Sequence, residues 1–241
     1  MMKFTAFTNP GSREVNEDST GIIEYGDGVC FVVADGLGGH GKGDIASQLA
    51  VSAFRHVYTE QNGTQEEMMS LAFRQAQADI ISEQTATASS NQMKTTAVAL
   101  DVRDDRILWG HVGDSRLYAF SRNKIKTRTL DHSVPQMLVR CREIREKEIR
   151  NHPDRNKLLR VLGVAEKPPE FELSPVVGSS IYQTFLLCTD GFWELVLEKE
   201  MERFLKKSDS PEGWVENMVK TINSRGAGKE MDNYSAIAVF I

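Results

Sequence analysis

Four short strand-like segments follow one another at 96–102, 107–112, 116–120 and 124–129, and they constrain the fold more than any other feature of the chain. The turns between them are tight and polar, as at Arg103-Asp104-Asp105. Parallel strands need a crossover of about a dozen residues, which these gaps do not offer, so the pattern predicts an antiparallel meander. Upstream, Val29-Cys30-Phe31-Val32-Val33-Ala34 is continuously apolar, which predicts a strand covered on both faces. It follows a hairpin-type turn, Tyr25-Gly26-Asp27-Gly28, and stops at Asp35-Gly36-Leu37-Gly38-Gly39-His40-Gly41.

Helical spacing flanks this strand-rich middle. Ile45, Ala46, Leu49, Ala50, Ala53, Phe54 and Val57 recur behind Asp44, a suitable N-cap, and predict a helix over 44–58. Met68, Ala72, Ala76 and Ile80 do the same for 65–83. Further helices are expected at 198–207 and 211–224, and strands at 181–189 and 234–241. The segment from 131 to about 165 reads as an exposed excursion. A helix is expected over 134–150, where charge is dense beside a modest apolar stripe of Leu138, Ile144 and Ile149.

Composition narrows the function. The 241 residues suffice for one core, so residues 1–241 are expected to form a single domain with a flap at about 131–165. Acidic residues outnumber basic ones by 34 to 29, which argues against nucleic acid as partner. No apolar run approaches the ~20 residues that span a bilayer, and the first residues lack a signal-peptide core, so no membrane is expected. Cys30, Cys141 and Cys188 form no close pair, which argues against disulfides and a cysteine-built zinc site. A cytoplasmic monomer is the expectation.

The chemistry is placed by acidic residues at strand ends. Glu17-Asp18 precedes a strand, Asp35 follows the most apolar one, and Asp114 lies between two. Asp190 follows Leu186-Leu187-Cys188-Thr189, and Asp232 precedes the last strand. A carboxylate there costs free energy unless it is solvated, hydrogen-bonded or metal-bound. Taken alone, Asp35, Asp190 and Asp232 each read first as a turn residue. Together they make a candidate cluster, and an all-carboxylate set suits Mg²⁺ or Mn²⁺ better than Zn²⁺.

A series of motifs resembles the metal-dependent protein phosphatases of the PP2C-like (PPM) family, bacterial type. They are Arg13-x-x-Asn16-Glu17-Asp18, Val33-Ala34-Asp35-Gly36-Leu37-Gly38-Gly39-His40, Thr95-Thr96 and Val112-Gly113-Asp114-Ser115-Arg116. Asp131-His132-Ser133, Leu162-Gly163, Thr189-Asp190-Gly191 and Asp232-Asn233 follow in family order. The resemblance implies an α+β fold, a four-layer α-β-β-α sandwich of two antiparallel sheets flanked by helices. It implies that Asp35 bridges two Mn²⁺ or Mg²⁺ ions, with the Gly36 carbonyl on the second. Asp190 and Asp232 complete the first, and Glu17 and Asp18 hold the second. Asp114 with Asp190 matches a third, weaker position, and Arg13 matches the clamp on the substrate phosphate, a task suited to the guanidinium fork. An activated water would then attack phosphorus in line, without a phosphoenzyme.

His40, Asn233, Arg116 and Thr95 are expected to support the site. For His40, proton delivery to the leaving group is the alternative. The excursion matches a substrate-recognition flap carrying Asp131, His132, Ser133, Arg140 and Arg142. Where relatives have an Arg-Gly-Glu-Ile type sequence, this chain has Arg140-Cys141-Arg142-Glu143-Ile144. Cysteine is read there in place of glycine, which predicts a stiffer flap and a continuing helix. The implied activity is hydrolysis of phosphoserine and phosphothreonine on proteins, opposing a Ser/Thr kinase of the same cell. The alternative is a non-catalytic module that binds phosphoproteins or a kinase, against which the retention of Asp35, Asp190 and Asp232 speaks. Asp190-Gly191-Phe192-Trp193-Glu194 is compatible with the relatives that control type VI secretion.

Overall fold

The computed structural model describes residues 2–38, 42–89, 92–165 and 168–241. In chain order the elements are β1 (Lys3–Asn9), β2 (Asp18–Tyr25), β3 (Gly28–Leu37), α1 (Gly43–Glu60), α2 (Gln65–Ala86) and β4 (Lys94–Thr95). The meander follows as β5 (Ala97–Arg103), β6 (Arg106–Val112), β7 (Arg116–Ser121) and β8 (Lys124–Arg128). Then come α3 (Val134–Arg140), a 3-10 turn (Glu146–Asn151), β9 (Glu172–Leu173), β10 (Val177–Gly178) and β11 (Thr184–Cys188). The chain closes with α4 (Asp190–Trp193), α5 (Glu198–Leu205), α6 (Pro211–Gly226) and β12 (Tyr234–Phe240).

All strand pairs are antiparallel and form two sheets, ordered β1-β12-β11-β7-β8 and β10-β6-β5-β3-β2. The meander is therefore split between them: β5 and β6 belong to one sheet, β7 and β8 to the other. The 113–115 turn is where the chain changes sheets, and it carries Asp114.

The apolar run of β3 explains the layering. Side chains alternate across a strand, so Phe31 and Val33 point one way and Cys30, Val32 and Ala34 the other. The first pair joins Val98, Leu100, Leu117, Phe185, Leu187, Ile237 and Val239 between the sheets. The second set packs with Ala46, Ala50, Phe54 and Phe73 beneath α1 and α2. On the far side, Leu186, Ala236 and Ala238 pack under Met201, Trp214, Met218 and Ile222 of α5 and α6. The result is α+β, helices–sheet–sheet–helices, in four layers. Among the described residues, no helix is long and apolar enough to cross a membrane.

Two local expectations are corrected. Asp44 sits in the first turn of α1 instead of capping it, and Lys42 holds the N-cap position without a side-chain bond. The helix expected over 134–150 ends at Arg140. Glu143 N–H bonds back to Leu138 O at 2.9 Å and Arg142 N–H to Val139 O at 3.0 Å, the paired bonds of a Schellman stop. Arg142, at φ +63°, takes the left-handed position that glycine adopts most easily. Cys141 is ordinary right-handed C-cap backbone, so the residue standing where a glycine fits is Arg142. The stripe of Leu138, Ile144 and Ile149, spaced by six and five residues, never matched one helix face.

Candidate metal centre

The carboxylates converge where the two sheets meet. Asp18 and Asp35 are directly opposed in the β2/β3 ladder. Asp114 lies on the sheet-changing turn, Asp190 opens α4, and Asp232 immediately precedes the last strand. A cleft of about 540 Å³ is lined by Arg13, Glu17, Asp35, Gly36, Asp114, Asp190 and Asp232, with Val15, Asn156 and Leu158 on its rim.

Each ligand candidate is held by its backbone. Asp35 N–H donates to Thr96 Oγ1 at 3.1 Å, and its carbonyl accepts from Thr96 N–H at 2.9 Å and Thr95 Oγ1 at 2.8 Å. Thr96 Oγ1 also lies 2.7 Å from Ser115 Oγ, which links the Asp35 strand to the turn bearing Asp114. Gly36 N–H donates to Glu17 O at 3.1 Å. A Cβ at Gly36 would come within 2.1 Å of Gly43 O and 2.6 Å of Glu17 O, so only glycine lets the three segments close here.

Asn233 does more than expected. Its backbone N–H donates to Asp232 Oδ1 at 3.0 Å, and its side chain ties down the loop that bears Arg13 and Glu17. Nδ2 donates to Pro10 O and Val15 O at 2.9 and 3.1 Å, and Oδ1 accepts from Glu17 N–H at 2.8 Å. Arg13 is exposed at the mouth, its guanidinium 3.2 Å from Asp232 Oδ2. A pair this open to solvent is worth little, which leaves the fork available to an incoming anion.

Electrostatics show what the cluster lacks. Burial, then the charges of Asp190, Asp18, Asp114 and Asp232, push the Asp35 carboxyl well above the ordinary range. Burial, then Asp190 and Asp131, do the same to Asp114 despite Arg116. Asp18 is pushed up to about 7 by burial, with Asp190 and Asp232 adding to it. Asp190 also rises to about 7, through burial, Glu194 and Asp232. Glu17 moves up mainly through burial. Asp18 Oδ2 accepts from Thr189 Oγ1 at 3.0 Å, but its Oδ1 is buried without a partner. Mutually repelling carboxylates, an orphaned oxygen and an oxygen-only donor set fit hard divalent cations.

The remaining expected residues lie elsewhere. Arg116 is buried and grips Asp131 through two bonds of 2.8 and 2.7 Å, with Arg128 also on Asp131 at 3.5 Å. Burial raises the Asp131 carboxyl, but the Arg116 charge and hydrogen bonds outweigh it and the net shift is downward. Ser133 caps α3 through Gln136 N–H. His132 Nδ1 accepts from Gly113 N–H at 3.2 Å. Asp131, His132 and Ser133 are thus buried and joined to the frame, while Arg140 and Arg142 are exposed. The flap residues that reach the cleft are Asn156 and Leu158, which carry no motif signal. His40 lies outside the described residues.

His111, His132 and Glu172 also bring potential ligand atoms within 4.8 Å of one another. Their hydrogen bonds leave them as a polar trio beside the 113–115 turn. His111 Nε2 faces Leu130 O at 2.8 Å. Because His132 Nδ1 accepts from Gly113, its proton sits on Nε2, which lies 3.2 Å from Glu172 Oε1 but without the alignment of a hydrogen bond. A cation there would need that nitrogen's lone pair. Burial, then the neighbouring His111, lowers His132 to about 4, and burial lowers His111, so both rings are neutral near pH 7. Sequence reading missed this trio because its members lie on β6, behind β8 and on β9.

Comparison with known proteins places this cleft in context. The sequence pattern of the family described as Protein phosphatase 2C matches residues 11–233. The serine/threonine phosphatase stp of Listeria welshimeri is 35% identical over 94% of this chain and 90% of its own. The crystal structure of serine/threonine phosphatase Stp1 from Staphylococcus aureus covers 100% of this chain and 95% of its own, with 27% identity and a TM-score of 0.89. A structure of PppA, described as a key regulatory component of T6SS in Pseudomonas aeruginosa, covers 99% of this chain and 97% of its own, at 27% identity and a TM-score of 0.80.

Proposed function

The chain belongs to the protein phosphatase 2C family, and from that premise we propose how its own residues serve a metal-dependent serine/threonine protein phosphatase and whose signals it reverses. The observation that carries the reading is the buried, uncompensated carboxylate cluster at the base of a cleft with an arginine at its mouth. Asp35 would be shared by two Mn²⁺ or Mg²⁺ ions, with Asp190 and Asp232 on one, and Glu17, Asp18 and the Gly36 carbonyl on the other. Asp114 with Asp190 would take a third, weaker one. When bound, such ions polarise a phosphoryl group and supply a water nucleophile at neutral pH.

The protein's contribution is placement and charge. Arg13 presents a fork to two phosphoryl oxygens, swinging from Asp232 toward the anion. Asn233 sets its height by holding the loop at Pro10 and Val15. Thr95 and Thr96 fix the Asp35 backbone, so the carboxylate does not follow the ligand out of register. Val15 and Leu158 add apolar surface to the cleft lining, suited to the flanking side chains of a protein segment. The cellular role we infer is reversal of a Ser/Thr kinase, acting in the cytoplasm as a monomer on phosphorylated proteins, with no nucleic acid as substrate.

The test is a panel of phosphoserine, phosphothreonine and phosphotyrosine peptides assayed for phosphate release with Mn²⁺ and with Mg²⁺. Release from the first two and not the third is the expected result. A folded chain inert on all three would leave the binding-module alternative.

A further inference from the structure

Resting on the reading of the cleft as a metal centre, we propose that Trp193 is a positioning residue that locks Asp114 to Asp190 in the arrangement a divalent ion requires. The indole is buried, and its Nε1–H donates to the Asp114 carbonyl at 3.0 Å. Trp193 ends α4, the short helix that Asp190 begins. This bond therefore joins the residue bearing one carboxylate to the element bearing the other. The other bonds on the 113–115 turn lead away from α4. Gly113 exchanges bonds with His132 at 3.2 and 2.9 Å, and Ser115 contacts Thr96 at 2.7 Å. Among the described hydrogen bonds, only that of Trp193 ties the turn to α4.

The indole is itself held in one orientation. The Arg116 guanidinium lies 3.4 Å over its ring, and Arg116 is fixed in turn by Asp131. Arg150, from the 3-10 turn of the flap, lies 5.3 Å from the same ring and pairs with Glu198 at 2.6 Å. A ring fixed by a stacked cation can hold its N–H on target while the carboxylates repel one another. With the lock gone, Asp114 relieves that repulsion by turning away, and the ion must pull it back.

Trp193→Phe keeps a ring for Arg116 and removes the N–H. The loss of one buried hydrogen bond corresponds to about tenfold in an equilibrium constant. The experiment is a calorimetric Mn²⁺ titration of metal-free wild type, Trp193→Phe and Asp114→Asn. The step lost in Asp114→Asn identifies the ion that uses Asp114. That step is expected to weaken about tenfold in Trp193→Phe, with the others unchanged. Unaltered constants beside a lowered melting temperature would make the residue merely structural and overturn the proposal. A wild type that binds no Mn²⁺ would instead sink the metal-centre reading.

Should Trp193→Phe fail to fold, the wild type still decides. The chain has three tryptophans, whose indole N–H signals can be followed under Mg²⁺ and assigned with Trp109→Phe and Trp214→Phe. The Trp193 signal is expected to move with the Asp114-dependent step. A Trp193 signal that stays fixed through that step overturns the proposal.

Discussion

Asp114 and Arg116 stand two residues apart, both buried, and belong to opposite electrostatic worlds. Around Arg116 every charge is answered: Asp131 takes its fork, the Trp193 ring covers one face, and Tyr118 Oη lies 3.0 Å away. Around Asp114 burial comes first, then the charges of Asp190 and Asp131, which outweigh Arg116 and drive the group toward its neutral form. A buried ion pair that is complete maintains shape. A buried set of like charges that is incomplete needs a ligand, and here the missing ligand is cationic.

Removing a charge should therefore have opposite effects on the two sides. Asp131→Asn leaves Arg116 buried without its counter-ion, which costs about 3–5 kcal/mol. At about 2–4 °C per kcal/mol for a chain of this size, the melting temperature should fall by roughly 10 °C. Asp35→Asn relieves repulsion, so the metal-free chain should melt a few degrees higher, at about 2–4 °C per kcal/mol relieved. Equal losses in both variants would dissolve the distinction.

Acid should separate the regions next. Asp18 and Asp190 have folded values of about 7, above the ordinary carboxylate range, so the folded state holds extra protons between about pH 4 and 7. Metal-free stability should fall as pH rises through that window, and further where Asp35 and Asp114, raised well above the ordinary range, give up their protons. His132 and His111, lowered by burial, oppose the fall below about pH 6.5 but are outnumbered by the raised carboxylates. Mn²⁺ competes with those protons, so in its presence melting should rise over the same window. Asp131, shifted downward, contributes only below it. Scanning calorimetry at pH 5 and 7.5, in chelator and in Mn²⁺, measures both slopes. A metal-free chain that gains stability toward neutral pH would contradict the account.

The smallest effect lies outside both clusters, at Arg142, where no buried charge is involved. Its left-handed backbone at φ +63° is strained for any residue with a side chain, so Arg142→Gly should stabilise the flap by about 1 kcal/mol. A destabilised Arg142→Gly would mean that its side chain contributes contacts that outweigh the strain.

Much of this was legible in the sequence where the physics is local. The unbroken apolar run Val29–Ala34 encodes two buried faces, and the spacing from Ile45 to Val57 encodes one helix face. Thr64 and Glu67 form a reciprocal capping box, a T-x-x-E signal that the sequence reading passed over. The flap was read less well because its helix stop depends on one backbone conformation at Arg142 and on no periodic signal. The burial of Asp131, His132 and Ser133 was hidden for a different reason. Asp131 and His132 find their partners, Arg116 and Gly113, only when the flap folds against the sheets, whereas the Ser133 bond to Gln136 is a local helix cap. Asn156 and Leu158 reach the cleft the same way, without a motif.

The most direct measurement is phosphate release from a phosphothreonine peptide by chain stripped of metal, then supplied with Mn²⁺, for wild type and Asp35→Asn. The account predicts no turnover in chelator, recovery on Mn²⁺ addition, and a loss of about 10³-fold or more in Asp35→Asn, as expected when several kcal/mol of metal stabilisation is removed. Turnover by wild type in chelator, or by Asp35→Asn at the wild-type rate, would contradict it.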